Sequence, residues 1–407
     1  MATRTSTPEP LRVLELFSGV GGMHCAIRQT GYPVSSVTAI DINPSANRLY
    51  SHNFNTTKLL QLNILGISSS FLKQLQTQLW VMSPPCQPFT RQGKKLDLKD
   101  ERTSAFTHIL KLIRNCTTLC IEYCCLNIVI IELSCEPNYL PTYILLENVQ
   151  GFECSEARNE LVTTLSETGY TYRELLLTPL QFGVPNSRLR YYLIAKLQPL
   201  KFKFDSSCVI REWPIQEITP VTAIFTEYTG IRDIDVDPGE AGSTTISEDK
   251  SASPLSCIPL DRFLTHLSPE EKASYLLTAP TLQKYGKVLD IVYTHSVCSC
   301  CFTRAYGNYL QGTGSVIQSG LNSKQATDSA YNLYFQAVEQ GLPNLEAPLM
   351  PLELRFFTPK EIANVMCFPA DFSFPSDLSN KQIYKLLGNS VNVLVITNLL
   401  SHLLLDQ

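Results

Sequence analysis

Cys86 is the residue of this chain best placed to do chemistry. It stands in Ser83-Pro84-Pro85-Cys86-Gln87-Pro88-Phe89-Thr90, directly after an apolar run at residues 79–83 (LWVMS). Two prolines stiffen the backbone before it and a third follows. A single cysteine is usually an inert, buried hydrophobe. One held on a proline-braced loop at the carboxyl end of a strand is better explained as a positioned nucleophile. Glu147 ends a second apolar run, residues 143–147 (YILLE), and continues into Asn148-Val149. It is surface charge or, if the two runs are neighbouring strands, an acid near Cys86. A third feature is Leu14-Glu15-Leu16-Phe17-Ser18-Gly19-Val20-Gly21-Gly22, followed by Asp41 about 20 residues on. Glycines let a ligand lie against the backbone, and an acid at that distance can bind ribose hydroxyls. The plainer reading of the glycines is a tight strand-to-helix turn. No basic residue lies near them, which suits an adenosine without phosphates better than a dinucleotide.

These residues need a scaffold that brings strand ends together. Residues 12–17 (RVLELF), 37–41 (VTAID), 79–83, 143–147 and 191–195 (YYLIA) read as short strands. Helices are expected from Gly21, from Pro44 and through residues 106–113. Such alternation predicts an α/β fold, a mostly parallel sheet with helices on both faces. In such sheets ligands bind outside the carboxyl ends of the strands. After about residue 200 the helical periodicity fades. Residues 233–256 are acidic and rich in Gly and Ser, as a long loop would be. Thr358-Pro359-Lys360-Glu361 reads as a helix start with a Thr N-cap. Residues 386–405 read as one apolar closing helix. The expected organisation is a tail at 1–10, a catalytic domain at 11–205, a smaller irregular domain at 206–350, and a segment at 351–407 that rejoins the first.

The 407 residues exceed one typical core, and two domains are the natural expectation. With 44% hydrophobic and 17% charged residues, global disorder is excluded. The net charge of -4 weighs against non-specific coating of nucleic acid, though not against taking one nucleotide into a pocket. The polar start and the absence of a signal-peptide pattern make the 14 cysteines reduced thiols of an intracellular protein, in the cytoplasm and also the nucleus. The longest apolar run, residues 119–133, is interrupted by Glu122, Asn127 and Glu132, so no membrane span is expected. A soluble monomer is the reading.

Gly19–Gly22, Pro84-Pro85-Cys86-Gln87, Glu147-Asn148-Val149, Asn186-Ser187-Arg188-Leu189-Arg190, Arg355-Phe356-Phe357-Thr358-Pro359-Lys360-Glu361 and Gly388-Asn389-Ser390-Val391-Asn392 resemble the ordered motifs of the cytosine-5 methyltransferase family. Asn186 stands where the family usually has Gln. The resemblance implies a Rossmann-like fold that uses S-adenosylmethionine, with a smaller target-recognition domain. It also implies a reaction in which the target cytosine is flipped into a pocket. Cys86 would attack C6, and Glu147 would protonate or hydrogen-bond N3. C5 would then take the methyl group, and loss of its proton would expel Cys86. Arg188 and Arg190 would clamp the base carbonyl and keep the thiolate side of the pocket electropositive.

For the cofactor, the resemblance implies Phe17, Ser18, Gly19, Val20, Gly21 and Gly22 at the turn and Asp41 on the ribose. Ile42, Ile64 and Leu65 would flank the adenine, with Ser83 and Pro85 nearby and Asn389, Ser390 and Asn392 on the returning segment. For Ile42 and Ile64, core packing is an equal reading.

A second resemblance concerns the substrate. The run Ser83 to Arg91, the triplet Cys301-Phe302-Thr303, and Tyr306-Gly307-Asn308-Tyr309 with Gly312-Thr313-Gly314-Ser315 are similar to the tRNA aspartic acid methyltransferases, also called type 2 DNA methyltransferases. These methylate a cytosine in the anticodon loop of aspartate tRNA, nucleotide 38 in tRNA numbering. Extruding a loop base costs little. Gln87, Thr90, Arg91, Lys94, Lys95, Asn148, Cys301, Phe302 and Thr303 are the implied substrate contacts. Lys99, Arg102, Lys284, Lys287 and Arg304 are further candidates for phosphate contact, although any single lysine is more simply a solvated charge. DNA is a weaker expected partner. The rival readings are a DNA cytosine-5 methyltransferase and a non-catalytic nucleic-acid-binding relative; the intact Cys86, Glu147, Arg188 and Arg190 argue against the latter.

No metal is expected. Cys298-Ser299-Cys300-Cys301 contains a C-x-x-C without a matching second pair. Residues 116–137 interrupt the resemblance, which is continuous to Ile113-Arg114 and resumes at Leu140-Pro141-Thr142-Tyr143. Family members join helix to strand there with roughly twenty fewer residues, as short connections require. The stretch is a lineage-specific insertion or, the favoured reading, translated intron sequence.

Overall fold

The computed structural model describes residues 8–85, 103–124, 139–204, 208–213 and 257–405. β1 (Leu11–Leu16) runs through the glycine turn into α1 (Gly22–Gln29), and β2 (Val34–Ile40) leads to α2 (Pro44–Asn53). There follow β3 (Lys58–Leu60), α3 (Ser69–Leu75), β4 (Leu79–Met82), α4 (Ser104–Cys124), β5 (Tyr143–Val149), α5 (Glu156–Glu167), β6 (Tyr170–Leu177) and β7 (Arg190–Leu197). The order across the sheet is β3-β2-β1-β4-β5-β7-β6. β7 pairs antiparallel with both its neighbours, and the other pairings are parallel. The chain winds outward from β1 in one direction and from β4 in the other. The crevice outside the carboxyl ends of β1 and β4 is therefore the topological switch point, where such sheets bind ligands.

Every residue of β4 is buried, as both-face coverage of a parallel strand requires. On one face Val13, Val81, Leu145 and Ile194 pack with Ile27 of α1 and with residues from the end of the chain. On the other, Leu14, Trp80 and Ile144 meet Ile109 and Ile113 of α4 and Leu161 and Leu165 of α5. A third cluster contains Leu277, Leu310, Val316, Tyr334 and Leu354. It surrounds α6 (Pro269–Tyr275), α7 (Ala279–Tyr285), α8 (Lys324–Glu339) and a small sheet, β8 (Ile291–Val292), β9 (Val316–Gln318) and β10 (Leu354–Arg355), in the order β10-β9-β8.

The chain then forms α9 (Pro359–Val365), α10 (Asn380–Gly388) and α11 (Val393–Leu405). The α9 start is the capping box expected from Thr358 and Glu361. Glu361 also takes two bonds from Arg355, at 2.8 and 2.9 Å, so the cap is a buried ion pair as well.

The expected single closing helix is two. At Gly388 a Cβ would lie 2.2 Å from Arg304 N and from Thr303 C, so the chain there is pressed against the Thr303–Arg304 backbone. Asn392 then caps α11 by accepting from Val395 N at 3.2 Å. Residues 125–133 of the expected apolar run lie outside the described residues; among those described, residues 380–404 are long and apolar enough to cross a membrane. Some 83% of their most apolar window is buried inside the protein, as in a core helix. Two strands of the large sheet had no counterpart in the sequence reading, the short edge strand β3 and β6, whose outer half is polar, and neither did the three short strands of the small sheet.

Candidate active site at the carboxyl ends of β4 and β5

β4 and β5 are neighbours, and their register pairs Met82 with Leu146. The next residues, Ser83 and Glu147, therefore lie abreast where the strands end. The Ser83 hydroxyl donates to Glu147 Oε2 at 2.5 Å. Arg190, at the start of β7, places Nε 3.5 Å from Glu147 Oε1. Both side chains of this pair are largely buried, at 16% and 8% exposure, so the guanidinium is screened little by water. Asn148 points the other way: its Nδ2 donates to the Pro84 carbonyl at 3.4 Å, and it is 1% exposed. Its side chain braces the root of the Cys86 loop. Cys86, Gln87, Thr90, Arg91, Lys94, Lys95, Lys99 and Arg102 lie outside the described residues.

Arg188 differs from Arg190 in what it touches. It is 4% exposed. Nη1 donates to the Phe302 carbonyl at 3.1 Å and reaches Cys301 Sγ at 3.3 Å, while Nη2 donates to the carbonyls of Gly388 and Ser390. Its Nη donors reach carbonyls on two separate segments, so Arg188 is a latch between them, while its buried Nε has no partner among the described residues. That Nε is the donor left for the base carbonyl expected of Arg188. Arg190 remains beside the carboxylate, with Nη2 3.6 Å from Cys301 Sγ. Burial pushes the Cys301 thiol up, but the two guanidiniums outweigh it and hold the thiol below its ordinary range.

Phe302 is buried. It is 2% exposed, edge-on to Tyr306 and Phe357 at ring distances of 5.1 Å, and therefore core. Thr303 donates its backbone N–H to the Thr313 carbonyl and is half-buried. Asn186, in the sequence only a variant of the usual Gln, is one of the residues that hold the seam: its Nδ2 donates to Ser299 Oγ and to the Cys300 carbonyl, at 3.1 and 3.0 Å. Lys284, Lys287 and Arg304 are exposed.

The glycine turn lies at the head of β1. Gly19 N donates to Asp41 Oδ2 and Asn43 N to Asp41 Oδ1, both at 2.8 Å. Burial raises the Asp41 carboxyl, and these backbone donors hold it back. Gly22 has no room for a side chain: a Cβ would lie 2.8 Å from Val391 and 2.9 Å from Ser390 Oγ, so the returning segment closes directly over the turn.

Three observations fit this crevice to S-adenosylmethionine. Ser18 Oγ is buried and, among the described residues, has no hydrogen-bond partner, which leaves one polar atom for a ligand. Ile42 and Leu65 are apolar yet 61% and 47% exposed, so two oily faces stand open for a heterocycle. Asp41 is the acid directly before Ile42 in sequence. Ile64, in contrast, is 4% exposed and packs in the second core cluster. Asn392 faces inward: its oxygen caps α11 and its nitrogen meets Val365 O. Asn389 is exposed and Ser390 half-buried. Among the described residues no three His, Cys, Asp or Glu side chains converge as a metal site.

A parallel sheet of this order, a glycine turn with an acid across from it, and a buried carboxylate beside a Pro-Pro-Cys loop define a class. The chain belongs to the C-5 cytosine-specific DNA methylase family, which it matches over residues 11–404. It is an S-adenosylmethionine-dependent cytosine-5 methyltransferase. More narrowly, it is 39% identical to the tRNA (cytosine(38)-C(5))-methyltransferase of Homo sapiens, over 96% of this chain and 98% of that one. It is 34% identical to a DNA (cytosine-5)-methyltransferase of Dictyostelium discoideum, over 96% and 94%. Among solved structures, a mutant of Spodoptera frugiperda DNMT2 superposes with a TM-score of 0.74 at 35% identity, covering 97% of this chain and 99% of that one.

Proposed function

We propose that this protein methylates C5 of cytosine 38 in the anticodon loop of aspartate tRNA, through a covalent adduct on Cys86. The observation that carries the chemistry is the meeting of Ser83 and Glu147 where β4 and β5 end, which sets a buried carboxylate beside the root of the Cys86 loop. Phe17–Gly22, Asp41, Ile42 and Leu65 hold the cofactor, and Ser390 closes over it. S-adenosylmethionine supplies, when bound, an electrophilic methyl group.

The chain's own residues do the rest. Cys86, as thiolate, adds to C6 of the extruded base. Glu147 hydrogen-bonds or protonates N3, which draws electron density from the ring and makes that addition feasible. Arg190 holds Glu147 in place and lends the pocket positive potential. After transfer, loss of the C5 proton restores the double bond and expels Cys86 as thiolate. Residues 206–350 serve as the recognition domain and residues 351–407 complete the catalytic one, in a monomer of the cytoplasm and nucleus.

The tRNA reading rests on the relatives' names and on the Cys301-Phe302-Thr303 knot that Arg188 ties to the catalytic segment. Bisulfite sequencing of aspartate tRNA and of duplex DNA, after incubation with the purified protein and S-adenosylmethionine at matched salt, tests it. Conversion-resistant cytosine at position 38 of the tRNA is expected. Equal or greater methylation of the DNA would move the assignment to the DNA enzyme.

A further inference from the structure

Beneath the glycine turn lies a buried polar chain that no catalytic step uses. Glu15, in the middle of β1, is 0% exposed. Its Oε2 bonds the Tyr50 hydroxyl at 2.8 Å, and that hydroxyl is 2.7 Å from His24 Nδ1. The His24 ring lies flat on Phe54, with centroids 4.0 Å apart and planes 10° from parallel. Phe54 in turn touches the turn itself, since a Cβ on Gly21 would fall 2.4 Å from Phe54 Cε2. Gly21 has φ +89, so it takes this place only because it lacks a side chain.

The contacts therefore run unbroken from Glu15 to Tyr50, His24, Phe54 and Gly21. Tyr50 and Phe54 sit one turn apart at the end of α2, and His24 lies in the first turn of α1. From above, the same turn is fixed by Asp41 on Gly19 and by Ser390 and Val391 on Gly22.

We propose that Glu15, Tyr50 and His24 are positioning residues for the cofactor, setting through Phe54 the height of the glycine turn. The neutral arrangement satisfies each link: Glu15 as acid donates to Tyr50 oxygen, and the Tyr50 hydroxyl donates to His24 Nδ1. Burial favours it, holding Glu15 up at about 8 and His24 down at about 4. Ionised Glu15 takes the hydroxyl hydrogen for itself. His24 must then switch to the Nδ1–H tautomer, and a charge is left under the turn with Glu15 Oε1 unpartnered. The other titratable or charged groups that act on this chain are Asp41, Cys25 and Arg28.

The inference rests on the turn being the cofactor's seat. Its test is calorimetric binding of S-adenosylhomocysteine to the full chain, with Asp41→Ala as the separate check of that seat. Tyr50→Phe breaks both links at once. It should weaken binding about tenfold, the scale of one buried bond lost, and raise the cofactor KM with kcat at saturation within about twofold. From pH 7 to 9 the wild type should lose affinity more steeply than Glu15→Gln, which has nothing to ionise. Leu165→Ala, a cavity in α5, should lower stability and leave affinity alone. If Tyr50→Phe binds as wild type does, or the two pH curves run parallel, the chain is only packing. If Asp41→Ala binds normally, the cofactor seat itself is misassigned.

Discussion

Ser83 and Glu147 come from strands that follow each other only after the long α4 crossover, yet their side chains meet at 2.5 Å. The carboxylate is thereby fixed by a hydroxyl on one side and by Arg190 on the other. A group that must reach one ring nitrogen gains from being held on two sides. Glu147→Gln keeps the shape and removes the acid. Its single-turnover rate should fall by about 10²–10⁴-fold, the usual worth of acid–base help, with S-adenosylhomocysteine binding nearly unchanged. Ser83→Ala should cost less, about tenfold, because the arginine contact remains. An unchanged rate for Glu147→Gln at neutral pH would remove Glu147 from the chemistry.

Arg188 and Arg190 are two residues apart and should fail in different ways. Arg188 ties Phe302 to Gly388 and Ser390, so Arg188→Ala leaves several buried carbonyls without a donor. A loss of about 3–5 kcal/mol of stability is expected, as for breaking a buried charged contact. Cofactor binding should weaken with it through Ser390. Arg190→Ala leaves the Glu147 carboxylate buried without its cation, so it too should cost stability, but cofactor binding should hold while kcat falls. Cofactor binding and kinetics on the two variants decide this, and the reverse pattern would exchange the two roles.

Glu15 makes stability depend on pH. Its folded-state value, about 8, stands above the ordinary 4.5. The stabilisation from keeping the buried acid protonated is full below about 4.5 and is lost as pH rises through about 8. His24 works in the opposite direction: its value is lowered from 6.5 to about 4, so its contribution is present above 6.5 and lost as pH falls through 4. Glu15→Gln removes only the first. The melting temperature of the variant relative to wild type should therefore climb between pH 5 and pH 9, by the equivalent of a few kcal/mol at ~1.4 per pH unit. A difference that stays flat across that range would mean Glu15 is already ionised in the folded protein.

The strands that carry chemistry were legible because each is a short apolar run ending at a motif: 12–17, 79–83 and 143–147 lie within a residue or two of β1, β4 and β5. The glycine turn was legible for the same reason. What side chains touch was not. Arg188 and Arg190 look alike in the sequence, and only the arrival of Gly388 and Ser390 from two hundred residues away separates them. Phe302 reads as a recognition aromatic until Tyr306 and Phe357 are seen to enclose it. The break in the closing helix at Asn389 follows from the Thr303–Arg304 backbone pressing on Gly388, a tertiary contact with no local signal. Glu15 gave a hint, a carboxylate inside an apolar strand, which burial rules make costly unless something pairs with it.

The nucleophile is tested most directly by trapping. Wild-type protein should form a denaturant-resistant complex with aspartate tRNA carrying 5-fluorocytosine at position 38, because C5 then has no proton to lose and Cys86 cannot leave. Cys86→Ala should form none and should transfer no methyl group, while binding S-adenosylhomocysteine as wild type does. Turnover by the alanine variant would sink the covalent route.

Residues 116–137 should be dispensable. α4 makes its core contacts early: Phe106, Ile109, Leu110, Leu112 and Ile113 are all buried. Arg114 then pairs with Glu160 and Glu167 on the neighbouring α5. The helix continues to Cys124, so residues 116–124 add about 13 Å at 1.5 Å per residue. Residues 125–137 lie outside the described residues. Because α4 returns the chain from the end of β4 to the start of β5, this extension leaves from the end of the sheet opposite Glu147. Joining Asn115 to Asn138 leaves residues 138–142 to reach β5, about 17 Å of chain at full extension, which suffices for a helix-to-strand connection. The deletion variant should fold, methylate tRNA within about twofold of wild type, and be more soluble, since it loses a segment rich in Cys, Ile and Leu. A variant with native circular dichroism and normal S-adenosylhomocysteine binding that no longer methylates tRNA would make the segment part of the RNA-binding surface.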